Sequence, residues 1–135
     1  MYVRGHIDKE CDGMDSRRWL KRHRIDIAIG MAPPFMKAVD HLTNYVYHPI
    51  RDGKLTKRLI KDLKELAAWV AKRYRRGKRI VIYCRMGRSR SCMVAALVLT
   101  IVRKMSGKQA VRYMRARRAG ACTRNKHFVG FLESL

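Results

Sequence analysis

The sequence predicts a single α/β domain built on a central, mostly parallel sheet of about four or five strands, with helices on both faces. Three observations predict it. Helical and strand patterns alternate from end to end, no repeat or Gly/Ser linker divides the 135 residues, and that length suits one domain. With 47% apolar residues the chain can bury a core, so its excess of charge does not signal disorder.

The elements follow in order. Val3 to Gly5 reads as a first short strand. Ser16 or Asp15 caps a helix that buries Trp19, Leu20 and His23, and Ile25 to Ile29 is the next strand. Pro33 and Pro34 interrupt the chain, after which Phe35, Val39 and Leu42 stand at helical spacing. Tyr45 to Ile50 alternates as a strand and stops at the turn signal Arg51-Asp52-Gly53. Leu55, Leu59, Leu63, Leu66, Val70 and Tyr74 then mark one face of a long helix, with Gly77 as its stop. Arg79 to Tyr83, RIVIY, is β-branched and reads as a strand buried on both faces. Residues 84–90, CRMGRSR, separate it from a helix running from Ser91 to about Arg103, whose apolar content nearly all round implies a central position. Ser106 with Gln109 forms a capping-box pattern ahead of a helix carrying Ala110, Val111 and Met114. A last helix carries Phe128, Phe131 or Leu132, and Leu135.

Composition excludes several classes. The longest apolar run, Cys92 to Val102 broken by Thr100, is about half the roughly 20 residues that cross a bilayer. The opening MYVRGHIDKECDGM carries acidic residues where a secretory signal needs an apolar stretch, so the expectation is a cytoplasmic protein with reduced thiols. Cys11, Cys84, Cys92 and Cys122 show neither Cys-x-x-Cys pairing nor histidines at zinc-finger spacing, so neither a zinc site nor a disulfide framework is expected. The 32 Lys and Arg against 10 Asp and Glu give a net charge of +22, which predicts attraction to polyanions or phosphorylated partners.

The segment IVIYCRMGRSRSC carries the chemistry. It sets a thiol, Cys84, at the end of a strand, Gly87 within the loop, and Arg90 at the start of a helix. A loop this tight turns backbone N–H groups inward as an anion nest, and Gly87 supplies conformations that a Cβ would forbid. The helix N-terminus adds positive potential. Together with Arg90 these donors favour thiolate over thiol and make Cys84 a nucleophile. The planar fork of Arg90 matches two phosphate oxygens, a geometry lysine lacks.

The string Cys84-x5-Arg90-Ser91, with Gly87 inside it, resembles the signature loop of cysteine-dependent phosphatases, most closely the small dual-specificity protein phosphatases. VYHPIRDG, residues 46–53, is similar to the strand and loop that carry that family's general acid, and Asp52 is the match. SGKQAVRYMRARR and TRNKHFVGFL resemble its closing helices. The resemblance implies a phosphatase-type fold and one catalytic domain over residues 1–135. It also implies hydrolysis of phosphotyrosine and of phosphoserine or phosphothreonine through a phosphocysteine, with no cofactor. Cys84 would be the nucleophile, Asp52 the acid and then the base, Arg90 the phosphate clamp, and Ser91 an aid to the departing sulfur. Arg85, Met86, Gly87, Arg88, Ser89 and Arg90 would form the substrate-binding loop. Asp62 and Asp40 stand next in line as acids, and Asn125 resembles a family asparagine that braces the loop. One departure is clear: Tyr83 stands where the family usually has His. Tyrosine still offers one hydrogen bond.

Arg85 and Arg88 are placed to meet further negative charge at the rim, which favours a multiply phosphorylated or polyanionic substrate. An RNA 5′-triphosphatase is therefore a second reading, and a low-turnover nucleic-acid-binding protein, for which Tyr83 is the hint, is a third. Cys92 reads as a core residue, with a reversible disulfide to Cys84 as the alternative. Cys11 and Cys122 read as filling space, and the five histidines lack ligand spacing.

Overall fold

The computed structural model describes residues 1–5, 16–33, 42, 44–122 and 124–135. The helix expected around Phe35 and Val39 lies outside the described residues, as do Cys11 and Asp40. Elements run β1 (Tyr2–Arg4), α1 (Ser16–Arg22), β2 (Ile27–Gly30), β3 (Asn44–Tyr47), α2 (Lys57–Arg75), β4 (Ile80–Tyr83), α3 (Arg90–Val102), α4 (Gly107–Arg117) and α5 (Lys126–Glu133). The four strands lie in the order β1-β4-β2-β3, and every pairing is parallel.

Alternation along the strands builds two cores. Ile27, Ile29, Ile80 and Ile82 face the layer of α2, α3, α4 and α5, where Leu63, Val70, Val94, Val98, Val111 and Leu132 are buried. Ala28, Val81 and Tyr83 face the other way, onto Trp19 and Leu20 of α1. Helices thus cover both faces, as parallel strands need. His23 falls just beyond α1, and its ring stacks on Trp19 at 4.2 Å between centroids.

The helices form where the periodicity and caps place them. In α2 the spacing buries Leu63, Leu66 and Val70, Thr56 accepts the Leu59 N–H at 3.1 Å, and Gly77 leaves the helix with φ of +82°. The Ser106–Gln109 box closes reciprocally at the start of α4. Two expectations differ. The third strand pairs regularly only from Asn44 to Tyr47, because Pro49 has no N–H; His48 and Ile50 still donate to the carbonyls of Gly30 and Met31. Leu135 lies past the end of α5 and is exposed, because the chain leaves the helix at Ser134.

Candidate active site

β4 delivers Cys84 to the C-terminal end of the sheet, the usual binding crevice of an open parallel sheet. The Cys84 N–H donates to the Arg4 carbonyl at 3.2 Å, which ties the loop to β1. Cys84 is 2% exposed. The Gly87 N–H points at the sulfur at 3.2 Å, and the Ser91 hydroxyl lies 3.1 Å from it. The loop closes this tightly because Gly87 adopts φ of +69°, with a Cβ there only 2.5 Å from the Arg4 carbonyl carbon and the Gly5 nitrogen.

Arg90 opens α3. One of its terminal nitrogens donates to the Ile50 carbonyl at 3.2 Å, which holds the guanidinium against the chain segment leading to Asp52. Its Nε is buried and has no partner among the described residues. A buried N–H of this kind is costly unless something accepts from it. The start of α3 has no side-chain cap at Ser89, so its first N–H groups also suit an anion.

Asp52 is exposed on the loop after β3, and its carboxylate accepts a hydrogen bond from the Asn125 side-chain amide at 2.8 Å. Asn125 donates to the Gly53 carbonyl as well, at 3.2 Å. Asp62 lies within α2 instead. Arg85 and Met86 are exposed. Arg88 is half-buried with its side chain lying along Gly120, so only Arg85 of the two expected rim arginines is fully exposed.

The layer under the loop was not expected from the sequence. The Gly87 carbonyl accepts from Arg118 Nε at 3.0 Å and from the Cys92 thiol at 3.2 Å. The neighbouring Cys122 thiol and burial push the Cys92 thiol above its ordinary range. The Cys92 thiol in turn, helped by the nearby Arg115 charge, holds Cys122 below its own. Cys122 is held at φ of +56° by donating to the Arg88 carbonyl at 3.0 Å and accepting from Arg115 at 2.8 Å. Cys122 therefore shapes the loop rather than only filling space, and the Cys92 thiol is engaged with the Gly87 carbonyl. No residue pattern singles out Arg118 within its basic run.

Tyr83 does make a hydrogen bond through its hydroxyl. Strand alternation turns it to the α1 side, where its hydroxyl hydrogen-bonds to that of Tyr45 and the rings stack 2° from parallel. Gly30 is required beneath it, since a Cβ there would collide with the Tyr83 hydroxyl.

A strand, a tight thiol-bearing loop and a buried helix whose first residue is arginine define a phosphatase-type α/β domain. Residues 12–134 match the dual specificity phosphatase catalytic domain, and the chain belongs to that family. Solved structures agree on the fold. Human DUSP28 superposes with a TM-score of 0.75 at 21% identity, covering 87% of this chain and 78% of that one. The Cydia pomonella PTP-2 phosphatase gives 0.76 at 18%, covering 99% and 90%. The Yvh1 phosphatase domain from Chaetomium thermophilum gives 0.72 at 20%, covering 98% and 87%. No curated protein matches the chain. Among the described residues, no helix is long and apolar enough to cross a membrane.

Proposed function

We propose that this domain hydrolyses phosphate esters of proteins, on tyrosine and on serine or threonine, through a phosphocysteine on Cys84. The observation that carries this reading is the Cys84 sulfur, which faces the Gly87 N–H at 3.2 Å while the Nε of Arg90, without a partner among the described residues, is buried where the loop enters α3. The same loop then receives the phosphoryl oxygens on its N–H groups and on Arg90. The Cys84 sulfur attacks phosphorus, Asp52 gives its proton to the leaving oxygen, and the thiophosphate ester forms. Water then attacks that ester. Asp52 takes a proton from the water, and Ser91, 3.1 Å from the sulfur, donates to it as it departs. The catalytic domain spans residues 1–135 in this reading.

The test is hydrolysis of p-nitrophenyl phosphate in the presence of a chelator. Turnover that disappears in Cys84→Ser, with a trapped phosphoenzyme in the native protein, is expected. Equal rates in the two proteins overturn the assignment.

A second reading has its own support. A cleft beside Asp52 is lined by Arg124, Lys126 and His127, so cations stand on the side where the leaving group departs. That favours substrates whose leaving group is itself anionic, such as triphosphate-ended RNA. Side-by-side kcat/KM values on phosphopeptides and on such RNA divide the two readings.

A further inference from the structure

Away from the loop, a cavity of about 410 Å³ opens between β1, α3 and α4. Its size falls in the range of about 300–1,000 Å³ typical of small-molecule sites. The wall is apolar, from Val3 of β1, Ala95, Leu99 and Val102 of α3, and Met114 of α4. The charge in the remaining lining is cationic: Arg103, Arg117 and Arg118 stand there beside Met1 and the rings of Tyr2, Tyr74 and Tyr113. Arg103 and Arg117 both lie over the Tyr113 ring, at 5.1 Å and 3.5 Å from its centroid. Neither is paired with a carboxylate among the described residues.

An apolar wall alone would take any oily molecule, and two arginines alone would take any anion. Their combination in one cavity selects molecules that are both. An inorganic phosphate leaves the wall uncovered, whereas a neutral hydrocarbon gains nothing from the guanidinium pair. The net charge of +22 raises the local concentration of anions further. Cys84, Ser91 and Asp52 take no part in this lining, so the cavity is separate from the candidate active site. Arg118 borders both, through its bond to the Gly87 carbonyl.

We propose that this cavity is a binding site for a small amphipathic anion. The aromatic or short alkyl body lies against Val3, Leu99, Val102 and Met114, and a single anionic head sits between Arg103 and Arg117. The site does not depend on the phosphatase reading.

Fluorescence titration with two probes tests it: 8-anilinonaphthalene-1-sulfonate, and N-phenyl-1-naphthylamine, which has the same ring body without the sulfonate. The native protein is expected to bind the sulfonate at one saturable site. Val102→Trp, at a half-buried wall position, fills the cavity and abolishes binding of both probes. Arg103→Gln with Arg117→Gln, both exposed, weakens the sulfonate about tenfold, which is about 1.4 kcal/mol. The neutral probe stays within about twofold in that variant, as it makes no ion pair. Absence of sulfonate binding to the native protein overturns the proposal, and so does undiminished binding by a folded Val102→Trp protein. If Val102→Trp does not fold, the arginine pair decides alone: an unchanged ratio of the two affinities overturns it.

Discussion

The Asn125 amide donates to the Asp52 carboxylate at 2.8 Å while its own oxygen accepts the His127 and Phe128 N–H groups that begin α5. One side chain therefore starts a helix and fixes the candidate acid. The two jobs use opposite ends of the amide, so they are separable.

Asn125→Ala removes both. It is expected to lose about 1 kcal/mol of stability with the cap and to lower kcat. Asn125→Ser keeps an oxygen for the cap but has no N–H for Asp52. Its melting temperature should stay near that of the native protein while kcat still falls. Thermal melts beside steady-state kinetics check this, and an Asn125→Ser protein with native kcat would show that the contact does not position the acid.

Asp52→Ala should cost about 10² to 10⁴ in kcat on an alkyl phosphoester, the usual contribution of a general acid. The loss should shrink on aryl esters with good leaving groups, which need the proton less. Uniform loss across leaving groups would move the role elsewhere, with Asp62 and Asp40 next.

Gly87→Ala brings two penalties together. Its left-handed backbone costs a residue with a Cβ about 1–2 kcal/mol. The new methyl would also lie 2.5 Å from the backbone of Arg4 and Gly5. Neither backbone atom can turn aside, so the loop must move and the Gly87 N–H leaves Cys84. A lowered melting temperature with near-complete loss of phosphatase turnover is expected, and native-like activity would contradict the loop geometry.

The Gly87 carbonyl gives a further contrast. Arg118→Ala removes one of its two donors, and a bond to a charged group is worth about 1.5–3 kcal/mol. Turnover should fall with stability. Arg117→Ala, one residue away on the exposed side, should leave the turnover of p-nitrophenyl phosphate unchanged.

How much of this was legible in the sequence depends on how local each feature is. The face Leu63-Leu66-Val70 of α2 and the Ser106–Gln109 box are set within a few residues, so periodicity and spacing reveal them. Cys84, Gly87, Arg90 and Ser91 are likewise contiguous, and one tight loop brings them together. Arg118, Cys122 and Tyr45 act across the fold, on Gly87, Arg88 and Tyr83. Nothing near each in the chain marks its partner, and Arg118 is hidden in a run of like residues. Leu135 continues a helical spacing past the point where the helix has stopped. The direction of Tyr83 was available from strand alternation, since Ile80 and Ile82 face one core while Val81 and Tyr83 face the other.

That direction makes the last prediction. Tyr83 is fully buried on the α1 side, with its hydroxyl bonded to Tyr45 and not aimed at the Cys84 sulfur. Tyr83→Phe should therefore cost about 0.5–1.5 kcal/mol of stability and leave kcat on p-nitrophenyl phosphate within about twofold, since no general acid or base is lost. Tyr45→Phe should cost a similar amount. The double variant should cost less than the sum, because each single change already breaks the bond that the two hydroxyls share. Denaturant unfolding of all four proteins measures the coupling. A large fall in kcat for Tyr83→Phe with unchanged stability would instead tie this tyrosine to the chemistry of the loop.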